Sequence, residues 1–262
     1  MPEHPKAEEI AGKMGIDIFE ISTNATCQQC HFTVKKTGDE LKSIAGISCE
    51  SCHGAAADWI DIHNDKKMPF DERMKLAAEK GMNRPSDMYS LFRNCYECHT
   101  APNEDIINKG GHPAGSSFEL VAWSQGEIRH TFNSDETLNE EAAIGKKRVL
   151  FVLGKAIELE TALDGFKVAT DTKGVYFDVM RKRFAGSLKA LKKIGQATGN
   201  DKINAIVAAL GTNLNPADKD SLNTAILNVR KATQDFANNE TGEGLAALDA
   251  IIPTAYKGTP VQ

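Results

Sequence analysis

Three times the chain repeats one short pattern: Cys27-Gln28-Gln29-Cys30-His31, Cys49-Glu50-Ser51-Cys52-His53 and Cys95-Tyr96-Glu97-Cys98-His99. All six cysteines of the sequence are consumed by it. Cysteine, two residues, cysteine, histidine is the attachment pattern for c-type haem. Two thiols add across the two vinyl groups of one porphyrin, so they must stand a fixed short distance apart. The residue that follows turns its imidazole to the iron as proximal ligand. Histidine makes up 7 of 262 residues. Its presence after all three cysteine pairs has a chance of about one in fifty thousand if positions are independent.

Other uses of paired cysteines fit less well. A redox dithiol explains one pair, but one chain rarely needs three. A disulfide across two residues is a poor structural staple. Cys27, Cys30, Cys49 and Cys52 have a spacing that suits a four-cysteine zinc site. That reading strands Cys95 and Cys98 and gives no reason for the three histidines. The expected cofactors are therefore three covalently bound haem c groups, with His31, His53 and His99 as iron ligands.

The rest of the composition agrees with a chain in two parts. All seven histidines and both tryptophans, like the cysteines, precede residue 131. Residues 1–131 carry a net charge of −6, and the remainder +1. The expected domains are 1–132, bearing the haems, and 133–262, with the boundary near Phe132–Leu138. Aromatic residues are only 6%, which is low unless flat apolar porphyrins supply part of the core. A net charge of −5 argues against a nucleic-acid binder, and no apolar run is long enough to cross a bilayer.

Four histidines remain once the proximal three are assigned: His4, His63, His112 and His130. All lie in the haem-bearing part, where each iron has a sixth position to fill, so all four are candidate metal ligands. Four exceed three, so one is spare or reaches the haem of another subunit. The opposite case leaves two histidines unused and one haem with an open position. Met14, Met68, Met74, Met82 and Met88 are alternative ligands, although methionine more often fills gaps in a core.

The segment Ile47-Ser48-Cys49-Glu50-Ser51-Cys52-His53-Gly54-Ala55, with Trp59 and His63 beyond it, resembles the multihaem cytochrome c-554 family. Asn94-Cys95-Tyr96-Glu97-Cys98-His99-Thr100, followed by Gly111-His112-Pro113 and Phe118-Glu119-Leu120, is similar to the last haem site of related multihaem cytochromes. The resemblance covers residues 1–131. It implies that His4 ligates the haem held by His53. It matches His63 to a histidine serving a first haem whose attachment motif would precede His4 and is absent here, which leaves His63 to serve the haem of His31, one of a neighbouring chain, or none. His112 and His130 compete for the haem of His99, and the other of the two serves the haem of His31. In the family the site like that of His31 can be five-coordinate.

Periodicity completes the reading. Helices are expected at Pro5–Lys13, Pro69–Lys80 and from Pro85 into Cys95, with a turn-rich link over Gly38–Gly46. Ser116 or Ser117 is expected to cap a helix running through Phe118 to Ile128 that presents His130 near its end. Beyond residue 140, apolar residues recur at helical spacing in five stretches: Val149–Phe166, Phe177–Leu191, Ile203–Leu210, Pro216–Phe236 and Leu245–Ile251. Arg181-Lys182-Arg183 and Lys192-Lys193 read as solvated faces, or more weakly as a docking patch for an acidic partner. The expected fold is mainly α: a loop-rich multihaem cytochrome c region followed by an antiparallel α-helical bundle.

Covalent haem is attached outside the bacterial cytoplasm, so the expected location is periplasmic or extracellular. Met1-Pro2-Glu3-His4 lacks the basic and apolar regions of a signal peptide, and the sequence is expected to begin after one. The expected function is electron transfer rather than catalysis, with redox partners that present basic docking surfaces to the acidic haem region. Two alternatives are reduction of a small molecule such as nitric oxide at one open haem, and a homo-oligomer or filament joined through a shared haem ligand.

Overall fold

The computed structural model describes residues 4–115, 117–130 and 139–260. It is mainly helical. It divides into two compact units, Met1–Ala114 and Gly115–Gln262. The boundary expected at Phe132–Leu138 lies outside the described residues.

The first unit is a string of short helices. They are α1 (Pro5–Met14), α2 (Ala25–His31), α3 (Cys49–His53), α4 (Ile60–Asn64), α5 (Phe70–Glu79), α6 (Met88–His99) and α7 (Glu104–Asn108). The helices at Pro5, Pro69 and Pro85 form close to where periodicity places them. The third starts at Met88, because the Asp87 carboxylate accepts from the Ser90 N–H and so caps it there. Gly81 at φ +99° ends α5 as expected.

The link after the first cysteine pair is different. Residues Thr33–Thr37 (β1) and Glu40–Ala45 (β2) form an antiparallel hairpin, with Lys35 opposite Lys42 and Thr37 opposite Glu40. The two-residue turn Gly38-Asp39 has Gly38 at φ +64°, a conformation that matches the twist of paired strands and favours glycine. Thr33, Val34 and Thr37 add β-branched strand preference.

Hydrophobic packing in this unit is sparse. One cluster joins Ala7, Ala11, Ile21 and Cys27, and another joins Trp59, Ala77 and Met82. Meanwhile Phe19 is 89% exposed, and Ile44, Ile47 and Phe70 are also exposed. Met74 and Met82 are buried in the core, which is the gap-filling role of methionine.

The second unit holds α8 (Leu120–Ser124), α9 (Ile144–Val168), α10 (Val175–Thr198), α11 (Asp201–Ala208) and α12 (Lys219–Asn239). Helix α9 packs against both α10 and α12. Its middle is buried on every side, from Val149 through Leu163 to Phe166. It is therefore the bundle's centre and not the one-sided stripe that spacing alone suggests. Glu160 lies there fully buried, its carboxylate accepting from Arg230 Nε at 2.9 Å. The fifth expected helix is only a 3-10 turn over Glu243–Leu248.

Helix α8 is shorter than expected. Its cap is Glu119, whose carboxylate accepts from the Ala122 N–H at 2.7 Å, and not Ser117. It stops at Ser124 because the chain beyond pairs with the C-terminal segment. Lys257 donates its N–H to Ala122 O, and Glu127 donates to Lys257 O. A Cβ at Gly126 would sit 1.9 Å from Lys257 O, so only glycine admits this approach. His130 therefore lies beyond the helix and is exposed.

Candidate haem centres

Each cysteine pair sits on a helix that ends at its histidine: α2 at His31, α3 at His53 and α6 at His99. In a helix the residues i, i+3 and i+4 share one face. The two thiols and the imidazole of each motif are thereby turned to the same side, as covalent haem needs. All six cysteines are free thiols. Helix α6 packs against both α2 and α3. Asn94 Nδ2 donates to Ser51 O at 2.6 Å, and the Cys98 thiol reaches Gln29 O at 3.8 Å. The third motif is thus held beside the other two.

Redox-active cysteines sit where the thiolate is favoured and have lowered pKa values. Burial instead pushes Cys27 and Cys52 up, and takes Cys95 up to about 12. A hydrogen bond shared with Cys30 raises Cys98 and lowers Cys30. Among the described residues no three His, Cys, Asp or Glu side chains gather as a metal site, so the four-cysteine zinc alternative has no geometry here.

Histidine tautomers separate the candidate ligands. A carbonyl oxygen only accepts, so a ring nitrogen facing one must carry the proton. His53 Nδ1 donates to Asn83 O at 3.0 Å, His112 Nδ1 to Pro113 O at 2.8 Å and His130 Nδ1 to Ile128 O at 2.7 Å. In each, Nε2 is left with the lone pair that binds a metal. His4 is the reverse. Its Nδ1 accepts from the Lys6 N–H at 3.2 Å and caps α1. In that state the proton is on Nε2, so capping and ligation through Nε2 exclude each other. His63 is half-buried beside Trp59, with ring centroids 6.0 Å apart, and among the described residues its Nδ1 has no hydrogen-bond partner.

The first unit brings one proximal and one spare histidine close together, edge to face. The ring centroids of His31 and His112 are 6.2 Å apart, with planes inclined at 61°. Two metal–imidazole bonds of about 2.0 Å, with about 1.1 Å from each nitrogen to its ring centre, require a separation of about 6.2 Å. Burial and the neighbouring His112 ring also hold the His31 imidazole below its ordinary pKa, in the neutral form that binds metal. The free thiols, the metal-binding tautomers, this separation and the uncovered apolar side chains together fit haem c.

The residue that sequence reasoning missed is Asn83. It belongs to no motif, and its target lies 30 residues away.

Comparison with known proteins places these features. The profile of the family described as cytochrome c554 and c-prime matches residues 3–54. Cytochrome c-554 of Nitrosomonas europaea is 24% identical over 126 residues, which is 45% of this chain and 51% of that protein. The match thus spans about half the length of that relative. No solved structure matches the chain. The N-terminal segment that carries the first two attachment motifs is therefore similar to the cytochrome c554 and c-prime family, while the helical C-terminal half lies outside the segment its profile matches.

Proposed function

We propose that this chain is an exported c-type cytochrome that carries electrons, with three haem c groups joined at Cys27 and Cys30, Cys49 and Cys52, and Cys95 and Cys98. His31, His53 and His99 are the proximal ligands, and His112 is the second ligand at the His31 site. The observation that carries this reading is the 6.2 Å separation of His31 and His112. That separation equals two metal–imidazole bonds and supports His112, and not an open position, as the second ligand if haem is bound at His31.

When bound, each haem supplies a one-electron Fe(III)/Fe(II) couple. The protein's part is to hold these couples close together and unreactive. Helix α6 does the first by packing on both α2 and α3. A second imidazole does the second, because it keeps small molecules off the iron. The net −6 of residues 1–131 favours redox partners with basic docking faces. Among the described residues no helix is long and apolar enough to cross a membrane.

Absorption spectra of the ferric and dithionite-reduced protein, with and without carbon monoxide, test the reading. Low-spin spectra indifferent to carbon monoxide are expected. One carbon monoxide bound per chain would overturn the carrier reading and favour small-molecule chemistry at an open haem.

A further inference from the structure

The loop after α5 grips the second attachment motif through a single residue. Asn83 donates its backbone N–H to His53 O at 2.8 Å. Its own carbonyl accepts the His53 Nδ1–H at 3.0 Å. Its side-chain Nδ2 donates to Cys52 O at 3.1 Å. Three hydrogen bonds thus fasten one loop residue to the consecutive pair that carries a thiol and a proximal imidazole.

The loop is itself held in place. Met82 N–H donates to Ala77 O at 2.9 Å, and the Met82 side chain is buried with Trp59 and Ala77. Gly81 comes so close to Gly54, the residue after His53, that a Cβ on Gly54 would lie 2.6 Å from Gly81 O. The Asn83 carbonyl is therefore a fixed acceptor. The His31 site differs: among the described residues no hydrogen-bond acceptor reaches its ring.

We propose that Asn83 is a positioning residue that fixes the tautomer and plane of the His53 imidazole and lowers the reduction potential of the haem it holds. This rests on the electron-carrier reading. A carbonyl drawing on Nδ1–H makes the ring a stronger donor through Nε2. A stronger donor stabilises Fe(III) over Fe(II). The amide side chain contributes by anchoring the carbonyl through Cys52 O, so substitutions there loosen the acceptor without deleting it.

Asn83→Ala and Asn83→Leu test this without changing charge, with the charge-conserving Arg84→Lys as a control on the same loop. Spectroelectrochemical titration of the purified holoprotein should show one of three one-electron steps moving to higher potential in both variants. A threefold change in the Fe(III)/Fe(II) equilibrium is about 28 mV at 59 mV per tenfold. In the reduced protein the His53 ring N–H should exchange with solvent about tenfold faster, while Arg84→Lys changes neither. Unmoved potentials with an unchanged exchange rate, or three potentials moving together, overturn the proposal. The carrier reading is checked separately in the wild-type protein: mass spectrometry that finds no haem joined to Cys49 and Cys52 overturns that reading as well. Should Asn83→Leu fail to fold, the smaller Asn83→Ala carries the same measurement.

Discussion

Replacing His112 with alanine removes the imidazole whose centre lies 6.2 Å from that of His31. Alanine ends at Cβ, which leaves no nitrogen on that side of the iron. One haem of three should therefore become high-spin, while the other two are unchanged. The readout is stoichiometric: the reduced variant should bind one carbon monoxide per chain where the wild type binds none. Added imidazole should restore the low-spin spectrum. The loss of a donor that favours Fe(III) should also raise the potential of that haem alone. A variant that stays fully low-spin and ignores carbon monoxide would show that the two rings do not share a metal. The agreement between 6.2 Å and two coordination bonds would then be accidental.

Other substitutions separate structural from ligand roles. His4→Ala should cost about 1 kcal/mol of stability through the lost cap on α1 and leave the haem spectra unchanged. Conversion of a haem to the high-spin form would instead identify His4 as an iron ligand that leaves its cap in the holoprotein. Arg230→Ala removes a charged hydrogen-bond donor from the fully buried Glu160 carboxylate, and chemical denaturation should report a loss of about 2 kcal/mol. A loss under 1 kcal/mol there would mean that solvent or another donor takes over from Arg230. Glu141, hydrogen-bonded to Lys147 and Tyr256, is held below the usual carboxylate range chiefly by the Lys147 bond. A lowered carboxylate stabilises the fold above its unfolded pKa of about 4.5 and loses that stabilisation as pH falls through the folded value. Because Glu141 is largely exposed the effect is small, about 0.5 kcal/mol. Glu141→Gln should flatten the pH dependence of stability below pH ~4.5 by that amount, and an unaltered profile would count against the pairing.

The attachment motifs were legible because their chemistry is local. Two thiols and an imidazole at i, i+3 and i+4 share a helix face wherever that helix is placed. The same holds for the helices of the second unit: α9 through α12 fall where apolar spacing and the stop at Gly211 place them. Legibility ended where a distant segment decided the outcome. Residues 33–45 pair as strands because Gly38-Asp39 makes a tight turn and because Gln28 Nε2 donates to Leu41 O and Ser43 Oγ. Helix α8 ends early because residue 257 pairs alongside it. The stretch Leu245–Ile251 keeps its apolar spacing but forms only a 3-10 turn.

The sequence by itself determined that three pairs of thiols each stand before a histidine, that the acidic half bears them, and that a helical half follows. Those properties depend on composition and on spacing within a few residues. Only the tertiary structure decided which ring meets which. His112 lies against His31 from 81 positions along the chain, and Asn83 closes on His53 from 30. Histidines with equal claims in the sequence were separated by their surroundings: a carbonyl puts the proton on one ring nitrogen, and a helix N–H puts it on the other. Such differences arise from where the backbone's polar groups come to rest, and that is set by packing across the whole unit rather than by neighbours in the chain.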